Sequence, residues 1–211
     1  MEDRRQIEDA PRKRERRDAR ENRQRLLAAA KDLFGAQGID ATSMQEIARA
    51  AGVGQGTLYR HFADKGDICH ALIKDDLAAF QERVGRLISA GAHSSPLARL
   101  DLLITERIRL TESHLPLLAV IDDVATGPRR TKPFRGPFHT WLREQIVALL
   151  GEAMERGEVA ELDVEFTAEV ILAATPPPLY SYQRQECGYS SERIIAGMRR
   201  LFVERLRRPA A

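Results

Sequence analysis

The sequence predicts an all-α protein, a small three-helix unit followed by a larger helical part. Three observations predict it. Apolar residues recur at three- and four-residue steps along most of the chain. No stretch alternates apolar and polar residues for long enough to make a strand, and no internal repeat is visible. Glycine and proline fall between the periodic stretches, where helices must stop.

The first well-patterned helix is expected over 20–37. Leu26, Leu27, Ala30, Leu33 and Phe34 form its apolar stripe, and Gly38 closes it. Two short helices joined by a tight turn follow in 42–65, TSMQEIARAAGVGQGTLYRHFADK. Met44, Ile47, Ala48 and Ala51 give the first of them one apolar face. Thr42 or Ser43 caps its start, since both Thr42–Gln45 and Ser43–Glu46 fit the capping-box spacing. Gly52 sits where a left-handed residue ends a helix, with Val53 as the apolar residue of the turn. Gly54 serves as N-cap of the second short helix, about 55–62.

Asp64 then caps a long helix, 65–89, with Ile68, Leu72, Leu77, Phe80, Val84, Leu87 and Ile88 at helical intervals. A linker at 91–96 ends it. Apolar stretches follow at 97–110 and 115–125, the second opening on Leu115-Pro116. The segment 126–137, TGPRRTKPFRGP, reads as a loop or broken helix. Residues 138–156 make a strong helix that Gly157 terminates, and 164–174 make another. Pro176-Pro177-Pro178 bends the chain before a restart through Leu179 to Glu186. The last helix is expected over 190–206.

The second short helix, 55–62, carries the functional argument. It offers only Leu58 and Phe62 to a core and leaves Gln55, Thr57, Tyr59, Arg60 and His61 outside. A polar second helix behind a tight turn is the design of a helix-turn-helix, which presents donors and acceptors to the DNA major groove. Gln55 is placed to meet a base edge, and Arg60 to read guanine or bind phosphate. Gly56 lets backbone approach closely. Thr57 and Tyr59 offer hydroxyls, and His61 a ring N–H for phosphate. Lys65 with the first amides of its helix is a candidate phosphate site, and Thr42 plays the same part at the other helix.

The same residues resemble the TetR family of bacterial transcription regulators. The matching pattern is Ala-Gly-Val, then Gly-Thr-Leu-Tyr-x-His-Phe, then the Lys opening the next helix, and the resemblance covers roughly 20–75. Many relatives carry Ser where Gly54 stands, and Lys, Arg or Pro where Gln55 stands, so base preference is not carried over. The resemblance implies that Tyr59 faces the duplex backbone. It also implies a homodimer on double-stranded operator DNA, a repressor released by a small apolar or amphipathic effector. The alternative kept beside it is a ligand-independent or partner-controlled DNA-binding factor. The expected division is a basic N-terminal arm at 1–19, the helix-turn-helix domain at 20–66, and a helical ligand-binding and dimerisation domain at 67–211.

For that last domain the resemblance implies an effector pocket. Leu103, Leu118, Ile121, Phe138, Trp141, His114, Asp122 and Gln145 are its candidates, with Leu100, Ile104 and Leu142 beside them. For each apolar one, plain core packing is the competing reading. The resemblance places the dimer surface on the last two helical stretches, with Ile194, Met198, Leu201 and Phe202 as the seam. Arg193, Arg199, Arg200 and Arg205 then face solvent.

Charge agrees with a nucleic-acid partner. Residues 1–70 hold 14 Lys/Arg against 12 Asp/Glu, and residues 71–211 hold 19 of each. The whole excess of +2 thus lies in the first third, concentrated over Arg12–Arg25. That basic segment reads either as a flanking contact to DNA or as a solvated tail. No run approaches the ~20 apolar residues of a membrane span, and the charged N-terminus does not read as a secretory signal, so a cytoplasmic protein is expected. Cys69 and Cys187, far apart, are expected as reduced thiols.

Catalytic and metal constellations are not found. His61, His70, His93, His114 and His139 lack ligand spacing, and no cysteine pair accompanies them. Glu106, Glu112, Asp122 and Asp123 are a loose acidic set that reads as helix surface. No cofactor and no enzymatic activity are expected.

Overall fold

A computed structural model describes the backbone of residues 3–124 and 136–208, and the side chains of 17–121 and 136–208. The expected loop over 126–137 therefore lies almost wholly outside the described residues. Among the described residues ten α-helices run in chain order: α1 Asp3–Gln37, α2 Met44–Ala50, α3 Gln55–His61, α4 Lys65–Ala90, α5 Pro96–Ser113, α6 Leu115–Val124, α7 Pro137–Glu155, α8 Val164–Ala173, α9 Pro177–Gln185 and α10 Ser191–Arg199. Among the described residues the only β-type pairing is a single bridge, Val159 with Arg207. The chain divides into two compact units, Met1–Leu72 and Ile73–Ala211, with the division inside α4.

The first unit is built on three helices whose apolar faces meet. Leu26 and Ala30 of α1, Ile47 and Ala48 of α2, Leu58 of α3, Phe62 and Ile68 form its buried core. The sequence predicts a start for α1 near residue 20, but the helix continues back to Asp3. The side chains of Arg12, Lys13, Arg14 and Arg16 lie outside the described residues. Gly38, at φ +86°, ends α1 and donates to the Phe34 carbonyl at 3.1 Å.

The second unit has one continuous core. α5 is its central member, packed against α7 and α10, while α8 lies on α7 and α9 on α6. Leu100, Leu103, Ile104 and Ile108 of α5 meet Leu142, Ile146 and Leu149 of α7. Local capping sets the ends. Ser95 accepts from the Ala98 amide ahead of Pro96 in α5, and Asp163 accepts from Phe166 in α8. The proline triplet permits a helix because Pro176 is the N-cap and Pro177 the first residue of α9, where no intrahelical N–H is needed.

The end of the chain departs from expectation. Regular α-helix stops at Arg199, and Arg200–Glu204 forms a π-helical turn. Ile194 and Met198, expected in a seam between subunits, instead belong to the protomer's own core beside α5. Arg199 is exposed and at the same time donates from Nε to both carboxylate oxygens of Asp101 of α5, at 2.9 and 3.0 Å. An apolar stripe read from sequence does not say whose core it joins, and here α5 supplies the partner.

Candidate nucleic-acid interface

α2 and α3 are positioned by local signals. Ser43, not Thr42, caps α2: its hydroxyl accepts from the Glu46 amide at 3.2 Å while the Glu46 carboxylate accepts from the Ser43 amide at 2.8 Å. These bonds to Ser43 hold the Glu46 carboxyl below the usual carboxylate range. At the other end, the Val53 amide donates to Ala48 and the Gly52 amide to Arg49. This pair of bonds is a Schellman closure, and Gly52 supplies the left-handed residue it needs at φ +65°. The turn is thereby fixed before α3 begins at Gln55, with Gly54 as its N-cap.

α3 buries one residue, Leu58. Gln55, Gly56, Tyr59 and Arg60 are exposed, Tyr59 to 55%, and Thr57 and His61 are half-buried. Four of the six candidates on this helix are thus exposed, and two are partly covered. Arg60 donates to the Thr57 hydroxyl at 3.1 Å, which steadies both. Gly56 has ordinary helical backbone, and a Cβ added there would meet nothing within 4 Å. Its own fold does not require a glycine there.

His61 sits beside two cations. Burial lowers its pKa, and Arg60 and Arg23 lower it further, so the ring is neutral near pH 7. Arg23 itself lies over the ring of Phe62, 5.0 Å from the centroid. A neutral imidazole still donates one N–H, and an anion at this point would draw a proton onto the other nitrogen.

Two candidates are placed differently from expectation. Thr42 is 1% exposed; its hydroxyl donates to Gly38 at 2.7 Å and accepts from Gln37 at 3.2 Å. It latches the α1–α2 turn from inside and turns no hydroxyl outward. Lys65 donates to the carbonyls of Ile39 at 2.7 Å and Asp40 at 3.4 Å. One of its three donors remains for a phosphate. Around it one of the first amides of α4 is occupied, since Asp67 N donates to Asp64, and the Asp67 carboxylate accepts from Ala63 N just ahead of the helix. Two carboxylates therefore stand where the sequence suggested an open anion site.

The proposed effector residues scatter within the second unit. Leu103 is core, while Leu118 and Ile121 are half-buried on α6. Phe138 stacks on Trp141 with centroids 6.4 Å apart, and both meet the edge of Phe80, at 5.6 and 6.1 Å. Gln145 is half-buried, and the Asp122 side chain lies outside the described residues. His114 is elsewhere, bonded to Asp76 at 2.9 Å, in an open cleft of about 420 Å³ that it shares with Phe80, Arg83, Arg86 and Leu110. Phe80 is the link the sequence reading missed: it packs on the Phe138–Trp141 pair and also lines the cleft. Its periodicity in α4 signals core and nothing more. Cys69 is buried, with its thiol pushed up to about 11, which makes it inert.

Comparison with known proteins bears on this arrangement. The family model described as bacterial regulatory proteins, tetR family, matches residues 26–72, the span of α1's apolar half through the first turns of α4. An HTH-type transcriptional regulator, SAR2658 of Staphylococcus aureus (strain MRSA252), is 51% identical over 196 residues, 92% of this chain and 98% of the relative. Among solved structures, Thermus thermophilus FadR, a TetR-family repressor in complex with lauroyl-CoA, superposes with a TM-score of 0.70 at 23% identity, covering 90% of this chain and 97% of that one. FadR from Bacillus subtilis in complex with stearoyl-CoA gives 0.63 at 22% identity, over 85% and 97%. At those identities the structural likeness speaks for the fold.

Proposed function

Because the chain belongs to the TetR family of bacterial regulatory proteins, and so is a DNA-binding transcription regulator rather than an enzyme, we propose that it is a repressor. It binds a palindromic operator as a homodimer in the cytoplasm, and a small amphipathic effector releases it. The observation that carries the reading is α3: one buried residue, Leu58, behind an exposed row of Gln55, Gly56, Tyr59 and Arg60. Gln55 and Arg60 are the base readers, and Thr57, Tyr59, His61 and the third donor of Lys65 hold phosphates. Thr42 acts from within, by fixing the turn that positions α2.

Dimerisation follows from the surface of the second unit. Phe166 at 67% and Val170 at 37% are exposed one turn apart on α8, Leu179 and Tyr182 are exposed on α9, and Leu201 is exposed to 56%. Large apolar side chains at this density near the C-terminal helices favour a self-complementary surface. The subunit seam runs through them and Phe202, with Ile194 and Met198 supporting it from beneath.

An amphipathic effector is favoured by the half-buried apolar row of α6 and by the acyl-CoA molecules held by two structural neighbours. Release is a population shift: the effector favours a state whose two recognition helices no longer match successive major grooves, about 34–36 Å apart. A thousandfold loss of operator affinity requires about 4 kcal/mol of differential effector binding. Footprinting of genomic fragments retained by the purified protein tests the reading. Protection of a short two-fold-related sequence is expected, and uniform protection without sequence preference would overturn it.

A further inference from the structure

Position 107 breaks the pattern of α5. Leu100, Leu103, Ile104, Ile108 and Thr111 mark the buried face of that helix. Arg107 falls within the same stripe, four residues from Leu103 and Thr111 and three from Ile104. Part of its surface stays accessible, yet the guanidinium lies deep enough that desolvation pushes its pKa down to about 10. A cation in that position ordinarily faces a carboxylate, because burial without one is costly.

Among the described residues no carboxylate pairs with it. One nitrogen, Nη1, donates to the Thr175 carbonyl at 2.9 Å and to the Thr175 hydroxyl. Thr175 is itself buried, at the junction of α8 and α9. The Nε and Nη2 edge of the fork has no acceptor among the described residues. Among the described residues, Glu165 and Glu169 of α8 are committed to Arg143, and Glu112 of α5 to Arg184 at 3.3 Å. His139 of α7 lies in the same electropositive region. Burial lowers its pKa first, Glu169 opposes this, and Arg107 and Arg143 lower it further.

We propose that Arg107 anchors the anionic head, a carboxylate or a phosphate, of an amphipathic effector. The proposal rests on the reading that an effector exists and names its chemical class. A planar guanidinium edge with two parallel N–H groups matches such a head in a way that an ammonium does not. An apolar tail has a surface to cover, because Leu115, Leu117, Leu118, Val120 and Ile121 of α6 are all half-buried. α6 packs on α9, the helix that begins just after Thr175.

The test uses the full chain and Trp141, its single tryptophan. Fluorescence titrations with dodecanoate, dodecyl phosphate, dodecanol and dodecyltrimethylammonium, each kept below its micelle concentration, compare heads on one tail. At least one of the two anions should bind about tenfold or more tighter than the alcohol, with the cation weakest; the better anion identifies the head. Arg107→Met should bring the anion to within about twofold of the alcohol, and Arg107→Lys should retain part of the preference. If Arg107→Met does not fold, the wild-type series and Arg107→Lys still decide. The anchor is overturned if the alcohol binds as well as both anions, if none of the four binds, or if Arg107→Met loses stability while keeping the anion preference. The last result would make Arg107 only a clamp on Thr175. Operator binding by the same preparations is measured in parallel, so that loss of the anchor and loss of the regulator reading are seen separately.

Discussion

The ammonium of Lys65 sits 2.7 Å from the carbonyl oxygen of Ile39, tying the first residue of α4 to the turn between α1 and α2. The bond spans 26 residues of sequence and holds the helix-turn-helix from behind. Lys65→Ala should therefore lower the stability of the first unit by about 1 kcal/mol, the usual net worth of such a bond. Affinity for operator and for unrelated DNA should fall by the same factor. Denaturant melts and binding isotherms on both DNAs check this, and a selective loss on operator alone would contradict it.

Gly56 should separate folding from binding. Its backbone is ordinary helix and a Cβ there meets open space. Gly56→Ala should leave the fold unchanged or stabilise it by up to about 1 kcal/mol, as helix propensity predicts. If the glycine lets DNA backbone approach closely, the same change should weaken operator binding about tenfold or more. A variant that gained stability and bound normally would remove Gly56 from the interface.

Base reading is assigned to Gln55 and Arg60. Gln55→Ala and Arg60→Ala should each relax preference at one defined position of a half-site, at a cost of roughly 1–3 kcal/mol. Competition with single-base variants of the bound site measures it. Equal losses at every position would reassign both side chains to phosphate.

The depressed pKa of His61 gives a pH dependence of known sign. In the free protein the ring is neutral above its lowered pKa, and a phosphate beside it would raise that value. Affinity for DNA should accordingly increase as pH falls from about 7.5 toward 6, and His61→Gln should remove that increment. Stability of the free protein moves the opposite way. The contribution of this group is present above its unfolded pKa, near 6.5, and is lost as pH falls.

The exposed apolar row is assigned to the partner subunit. Phe166→Glu and Leu201→Glu should each bury an unpaired carboxylate twice in a symmetric dimer. Both side chains are exposed in the protomer, so helix content should persist while sedimentation shifts toward monomer. A dimer that survived both changes would place the seam elsewhere.

Much of the helix-turn-helix is legible in the sequence because its signals are local. Gly52, the Ser43–Glu46 pair and the lone buried Leu58 act within a few residues of themselves. The inward turn of Thr42 and the reach of Lys65 to Ile39 are not legible, since both depend on where another helix ends. Ile194 and Met198 fail for a related reason: their spacing declares a buried face without naming what covers it. Arg107 did leave a signal, a charge at a core position of α5, and so identifies its helix though not its neighbours. Phe80 left none beyond core periodicity.

In the proposed regulator two copies of α3, fixed by a dimer, read one inverted repeat. Selection from fully randomised duplexes with the purified protein, followed by sequencing, tests it most directly. Enrichment is expected of a two-fold-symmetric consensus whose half-site centres lie about 10–10.5 base pairs, or a multiple of that spacing, apart. The symmetric positions should weaken together in Gln55→Ala or Arg60→Ala. Recovery of no consensus, or of an asymmetric one unchanged by both substitutions, would contradict it.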